Sequence, residues 1–188
     1  MNKVSIIGIG SATGLDQAGW LALRELKHAG FARNFPSSSV SLYGHRNPID
    51  LPTILMDTDL AIILDAMEGP LGSLQRFDRE TISLRCDTLS SHGFGIGQAL
   101  ELCYSLGHSP MQIAVYGLGI GIANIDNPLA PPPISVVKEG MPAITHALQR
   151  EISGFLNQNV PDLAGKAPSQ DSVYTSDEER RQKNACRY

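Results

Sequence analysis

The chain alternates short apolar runs of strand length with longer segments in which apolar residues recur at helical spacing. Residues 60–67, "LAIILDAM", predict a strand buried on both faces, and residues 90–108, which open at Ser90 and Ser91, predict an amphipathic helix. Further strands are predicted at residues 3–9, 38–44, 72–78 and 111–122, and further helices at residues 15–30, 47–59 and 134–156. The run 72–78 fits an edge strand or a hairpin arm, and an interruption of the last helix near Gly140 or Pro142 stays open.

This alternation predicts an α/β protein. Strands that alternate with helices are joined by right-handed β-α-β crossovers, so we expect a three-layer sandwich in which helices cover both faces of a mostly parallel, twisted sheet of about five strands. A chain of 188 residues suits one domain. We expect that domain to cover residues 1–158, because residues 159–188 are polar, charged and poor in large apolar side chains, which is typical of a flexible tail.

Charge and cysteine usage argue against several classes of protein. The net charge is −4 and no basic stripe is present, so nucleic acid is not expected as a partner. No run approaches the roughly 20 apolar residues that a membrane span needs, and the short N-terminal run suits a strand better than a signal peptide. The three cysteines form no Cys-x-x-Cys pair, which argues against a disulfide framework and a structural zinc site. We expect a cytoplasmic protein, and a monomer.

Three potential metal ligands are expected at one edge of the predicted sheet. In open α/β sheets the ligand site lies beyond the carboxyl ends of the strands. Asp16 follows the first strand, Asp65 lies at the end of the strand 60–67, and His92 lies in the first turn of the helix expected at the same edge. Two carboxylates and an imidazole suit a divalent transition metal with open coordination positions. A helix N-terminus also disfavours imidazolium, which helps to keep His92 neutral and able to coordinate.

Each of these residues has an alternative interpretation when it is taken alone. Asp16 fits a helix N-cap, Asp65 fits a cap or turn residue, and His92 fits a solvated residue of a first helical turn. Their joint placement at one edge favours the metal site. His45 ends the second strand and is expected at the same rim, either as a solvated turn residue or as a contributor to the site.

Other kinds of chemistry are weakly supported. "GIGSATG" at residues 8–14 is similar to a dinucleotide-binding turn, but the third glycine falls one position late and the second strand ends in "LYGHR" without a ribose-binding acid. A nucleotide-dependent enzyme is therefore the third hypothesis, and no nucleotide is expected. There is no Gly-x-Ser-x-Gly motif, and neither Cys86 nor Cys103 lies in a recognisable catalytic context.

Several segments together resemble one enzyme family. The Gly-x-Gly after the first strand, "ILDA" at 63–66, "GPLGSLQRF" at 69–77 and "LSSHGFGIGQAL" at 89–100 are similar to motifs of the hydrogenase maturation endopeptidases. The resemblance spans roughly residues 3–157 and leaves the tail uncovered. The Asp-Ala and Ser-Ser-His-Gly pair, in this order and at this spacing, is its most specific part.

The resemblance implies a three-layer α/β fold and one endoproteolytic cut. That cut removes a C-terminal extension from the precursor of a nickel–iron hydrogenase large subunit after nickel has been inserted. The family residues that recognise the nickel would be Asp16, Asp65 and His92, with the nickel supplied by the precursor. Asp16 and Asp65 would also serve catalysis, through the metal or through a water molecule. A chaperone that binds the metal-loaded precursor without cutting it is the alternative.

This chain departs from the family pattern around the site. Ser11 stands where the family usually has Asn, Asp16 stands alone where the family has two adjacent acids, and the loop is one residue short. The family's Asp-Gly-Gly-Thr after the second strand is replaced by "LYGHRNP" at 42–48, in which only Gly44 corresponds. We therefore predict a divergent member that serves an unusual hydrogenase.

Overall fold

The fold is a five-stranded sheet covered by helices on both faces. A computed structural model describes residues 2–12, 14–78, 81–82, 95–107, 110, 112–121 and 133–158. The strands are β1 (Val4–Ile9), β2 (Val40–Arg46), β3 (Leu60–Met67), β4 (Leu74–Phe77) and β5 (Gln112–Gly119), in the spatial order β2-β1-β3-β5-β4. β2, β1, β3 and β5 are parallel to one another, and β4 pairs antiparallel with β5 at the edge. The predicted α/β fold class is confirmed.

The described residues include four α-helices. They are α1 (Ala18–His28), α2 (Leu51–Leu55), α3 (Ile96–Ser105) and α4 (Pro133–Gln158), and short 3-10 turns occupy Gly14–Gln17, Phe31–Asn34 and Pro48–Asp50. α4 is a single helix that contains Pro142, so the interruption considered near Gly140 or Pro142 does not occur. The run 72–78 contains the edge strand β4, as one of its two alternatives predicted.

The helix predicted to open at Ser90 begins later. Gly95 has an extended backbone, with φ −88° and ψ 174°, and its N–H donates a hydrogen bond to the Oε1 of Gln98 at 3.1 Å. This arrangement caps the first turn, so α3 begins at Ile96. His92 and the rest of residues 83–94 lie outside the described residues, as do residues 159–188, for which a flexible tail was predicted.

Two apolar layers lie on opposite faces of the sheet. Side chains alternate between the faces along each strand, so Ile62 and Leu64 pack with α1 and α4, whereas Ala61 and Ile63 pack with α2 and α3. Because the central strands are buried on both faces, they are apolar along almost their whole length. Asp65 is two positions after Ile63 in β3, so its side chain lies on the same face of the sheet, the face covered by α2 and α3.

The first turn of α1 sits directly on the ends of β1 and β3. A Cβ added to Gly19 would lie 2.3 Å from the carbonyl oxygen of Ile9 and 2.4 Å from that of Leu64. A Cβ added to Gly8 would lie 2.6 Å from the carbonyl oxygen of Gly19. Only glycine permits this approach of backbone to backbone. It fixes the position of the turn that precedes α1, which carries Asp16.

None of the described helices is long and apolar enough to cross a membrane.

Replacing Gly19 with alanine tests this contact. The Gly19→Ala variant should lose about 1–3 kcal/mol in the free energy of unfolding, because the new methyl group meets two backbone carbonyls that cannot move aside. Gly154→Ala in α4 is the matched control: its Cβ meets nothing within 4 Å, and alanine in place of a helical glycine should stabilise by about 0.5–1 kcal/mol. Urea denaturation measures both. A Gly19→Ala variant as stable as the control would contradict the packing.

Candidate functional site

Asp65 is a buried acid near the carboxyl end of β3. Its exposed fraction is 2%, and its Oδ1 accepts a hydrogen bond from the backbone N–H of Ala66 at 2.9 Å. Its Oδ2 has no hydrogen-bond partner among the described residues. Burial raises the pKa of Asp65 well above its usual range, the Ala66 N–H offsets part of this effect, and the negative charge of Asp16 raises the pKa further. A buried acceptor of this kind is costly unless it serves a ligand.

Asp16 lies near enough to Asp65 for its charge to act on the Asp65 carboxyl, although 49 positions separate them in the chain. It belongs to the 3-10 turn Gly14–Gln17 between β1 and α1, and its charge acts on the Asp65 carboxyl. The turn folds back over the end of β1, where a Cβ on Gly10 would lie 2.2 Å from the carbonyl oxygen of Asp16. Gly10 has φ 152°, which residues with a side chain rarely adopt. Gln17, not Asp16, is the cap residue of α1, so the capping interpretation of Asp16 is wrong.

The two acids lie at the point where the sheet order reverses. The chain passes from β1 outward to β2 and then returns to β3 on the other side of β1, which leaves a crevice between the carboxyl ends of β1 and β3. Asp16 follows β1 and Asp65 belongs to β3. Two carboxylates close together in a poorly solvated crevice favour either a shared proton or a bound cation.

The described residues contain no complete metal site. No group of three or more His, Cys, Asp or Glu side chains among them is placed to hold one metal ion, so His45 does not complete a site with Asp16 and Asp65. His92 lies outside the described residues, and its convergence with the two acids stays a prediction. The helix α3 contacts the turn Pro48–Asp50, which follows the carboxyl end of β2. The chain then runs from the end of α3 to the start of β5, so α3 begins at the edge of the sheet where the acids lie. His92 precedes the cap residue Gly95 by three positions.

Met67 and Gly117 form one wall beside Asp65. Gly117 is the register partner of Asp65 in β5, so a side chain at Gly117 would point to the same face of the sheet. The space is filled by Met67, whose Sδ lies 2.4 Å and whose Cγ lies 2.7 Å from the position of a Cβ on Gly117. A thioether therefore lies beside the buried acid and contributes to its apolar surroundings. Sequence analysis missed this pair, because the register between β3 and β5 cannot be read from either strand alone.

His45 lies on the opposite side of the crevice, at the end of β2. It is exposed, has φ 55° and packs against the indole of Trp20. β2 is a neighbour of β1 and parallel to it, so His45 is at the edge predicted for it. Trp20 was not singled out in the sequence, since it reads there as one residue of an amphipathic helix.

The Gly-x-Gly at Gly8 and Gly10 serves packing within the chain. The space beside Gly8 is taken by the backbone of Gly19, and the space beside Gly10 is taken by the backbone of Asp16. These close approaches account for both glycines without a nucleotide phosphate. The dinucleotide hypothesis gains no support from them.

A groove lies at the other edge of the sheet. Its volume is about 590 Å³, and its lining includes Gln112 at the start of β5 and Gln158 at the end of α4. Arg76 binds the Glu151 carboxylate through Nε at 3.0 Å and one terminal nitrogen at 2.9 Å, and the hydroxyl of Tyr116 donates to Glu151 at 2.8 Å. This network joins β4, β5 and α4 and satisfies its own charges. We therefore assign it a structural role and place the candidate site at the two acids.

Solved structures of similar fold were found. The hydrogenase maturating endopeptidase HybD from E. coli has a TM-score of 0.56 and 16% identity over 79% of this chain and 93% of its own. The [NiFe] hydrogenase maturation protease HycI from Thermococcus kodakarensis KOD1 has a TM-score of 0.58 and 19% identity. The match covers 81% of this chain and 93% of HycI. An endopeptidase from Escherichia coli has a TM-score of 0.58 and 17% identity. The match covers 80% of this chain and 93% of the endopeptidase. The resemblance read from the sequence is thus confirmed for the fold.

Sequence comparisons add no relative. No protein-family model matches the chain, and no curated protein matches it.

The burial of Asp65 predicts a pH dependence of stability. An acid whose pKa is higher in the folded than in the unfolded chain contributes most stability below its unfolded pKa of about 3.9, and this contribution is lost as the pH rises through the folded value. Asp65→Asn mimics the neutral acid. Its free energy of unfolding relative to the unmodified protein should therefore rise by about 1–3 kcal/mol between pH 4 and pH 8.

Urea denaturation across this pH range measures the effect. Asp57→Asn is the control, because the Asp57 side chain is 88% exposed and its difference from the unmodified protein should not change with pH. Parallel pH profiles for Asp65→Asn and the unmodified protein would show that Asp65 is ionised at no cost.

Proposed function

We propose that this chain is a divergent hydrogenase maturation endopeptidase. It removes a C-terminal extension from the nickel-loaded precursor of a nickel–iron hydrogenase large subunit. The observation that carries the proposal is the pair Asp16 and Asp65 at the β1/β3 crevice, with one buried oxygen of Asp65 that has no hydrogen-bond partner among the described residues. The shared fold of HybD and HycI, whose names describe this activity, supports it.

The nickel is part of the substrate in this proposal. A divalent cation placed between the two carboxylates removes their mutual repulsion and gives the unpartnered Oδ2 of Asp65 a ligand. Binding of the cation releases the proton that burial favours on Asp65, because a carboxylate coordinates in its ionised form. His92 supplies the third ligand, and its neutral imidazole leaves coordination positions for the residues of the precursor. A precursor without nickel lacks the charge that this pair needs, so metal insertion precedes the cut.

The two acids have different surroundings and therefore different roles. Asp65 is almost fully buried, whereas Asp16 is only partly buried in its turn. An attacking water molecule has to lose a proton as it adds to the peptide carbonyl. Asp16 accepts that proton and returns it to the leaving nitrogen as the peptide C–N bond breaks, which leaves a new carboxylate and a free amine. The precursor's metal would polarise the carbonyl or the water.

The partner is the precursor protein. In this proposal the enzyme acts as a monomer in the cytoplasm. No nucleic acid, membrane or nucleotide takes part.

Incubation with a purified precursor tests the proposal. The unmodified protein should shorten nickel-loaded precursor by one C-terminal fragment, seen by intact-mass spectrometry, and should leave nickel-free precursor intact. Asp65→Asn and His92→Ala should each lower the cleavage rate by at least about 100-fold, since each removes a proposed ligand of the precursor's metal. Asp57→Asn, at an exposed carboxylate, should cleave normally.

The alternative function has a distinct outcome in the same experiment. A chaperone of this fold would form a complex with nickel-loaded precursor, visible as a shift in size-exclusion chromatography, and would release no fragment. Absence of both cleavage and binding would reject the endopeptidase and the chaperone together.

A further inference from the structure

We infer that His45, held in place by Trp20, is a substrate-binding residue of the proposed endopeptidase. Its imidazole binds the backbone of the precursor segment that crosses the β2 side of the crevice. The inference rests on the proposed function and deepens it by naming a residue outside the metal-ligand set. It is carried by the backbone of β2, the packing of Trp20 and the unused hydrogen-bonding capacity of the ring.

The backbone places His45 through an irregularity in β2. Ile7 of β1 pairs with Tyr43 of β2, but Ile9 pairs with Arg46, so β2 contains one extra residue between the two pairs. His45 lies in this bulge with φ 55°, in the left-handed region. A side chain in that region costs of the order of 1 kcal/mol, and a bulge redirects the side chain it carries. Strain of this kind persists where the surrounding structure requires it.

Trp20 holds His45 in this conformation. The indole and imidazole ring centroids are 4.8 Å apart with the planes tilted by 53°, and the indole N–H donates to the carbonyl oxygen of Arg46 at 3.0 Å. One side chain of α1 therefore holds both the ring of His45 and the backbone that follows it. The rotational freedom that an exposed histidine normally has is reduced.

The same indole connects His45 to the acids. Its Nε1 lies 3.6 Å from the position of a Cβ on Gly10, and the carbonyl oxygen of Asp16 lies 2.2 Å from that position. Trp20 thus spans the distance from the turn of Asp16 to the bulge of β2. In the described part of the chain, His45 forms no metal-binding group with the two acids.

The ring is available to a ligand. His45 is exposed, and its imidazole forms no hydrogen bond with the described residues. A neutral imidazole carries one donor and one acceptor, the pair that an extended polypeptide backbone presents. A strained ring that packs at a tilt against Trp20, with neither nitrogen bonded to a described residue, fits a binding role, because packing alone would be served by a residue without strain.

Substitutions that keep the backbone separate binding from folding. Asparagine and glycine both accept φ 55°, so His45→Asn and His45→Gly remove the imidazole without new strain. Each should raise the KM for nickel-loaded precursor by about 3- to 10-fold, the effect of one lost hydrogen bond, with kcat within about twofold. Trp20→Phe keeps a ring but loses the bond to Arg46, and should raise KM in the same direction.

His28→Asn is the matched control, because His28 is an exposed histidine in the last turn of α1 and should leave KM unchanged. Thermal denaturation should show His45→Asn and His45→Gly at least as stable as the unmodified protein. An unchanged KM in both His45 variants, with the unmodified enzyme active, overturns this inference and leaves the proposed function standing. If the unmodified protein binds precursor without cutting it, the dissociation constant replaces KM with the same expected ratio. If it does neither, both proposals fall.

Discussion

The contact between the backbone of Gly19 and the carbonyl groups of Ile9 and Leu64 determines where the candidate site can lie. It brings the first turn of α1 onto the ends of two adjacent parallel strands, closer than any residue with a side chain permits. The turn that precedes α1 then lies over the end of β1, where the carbonyl oxygen of Asp16 packs against the backbone of Gly10. A small set of glycines therefore fixes an acid above the crevice.

The position of this turn has an electrostatic consequence. Asp65 is enclosed from below by the apolar layer of the sheet and on one side by the thioether of Met67, so water does not solvate its charge. Asp16 adds a second negative charge from above. The pair is destabilised as two anions, and a cation would relieve it. Under the proposed function, a precursor that has received its metal meets this condition.

The sequence predicted the layers and the edge of the sheet well, because burial on both faces gives a continuous apolar run that periodicity detects. Asp65 was placed correctly since it interrupts such a run at its end. The start of α3 was misplaced because Ser90 and Ser91 are good cap residues, whereas the hydrogen bond from Gly95 to Gln98 involves a glycine that carries no such signal. The bulge in β2 was missed for a related reason: an extra residue changes pairing, not composition.

Departures from the family pattern therefore have structural meaning where they cluster. The Asp-Gly-Gly-Thr motif is absent after β2, and in its place the chain has a bulge with a histidine in the left-handed region, held by a tryptophan from α1. The motif residues on β3, in contrast, are retained, and the acid among them is buried. The chain thus keeps the acid at β3 and rebuilds the rim at β2. Under the proposed function, this combination keeps the buried acid for the metal and places the difference at the β2 rim, where the identity of the precursor would be recognised.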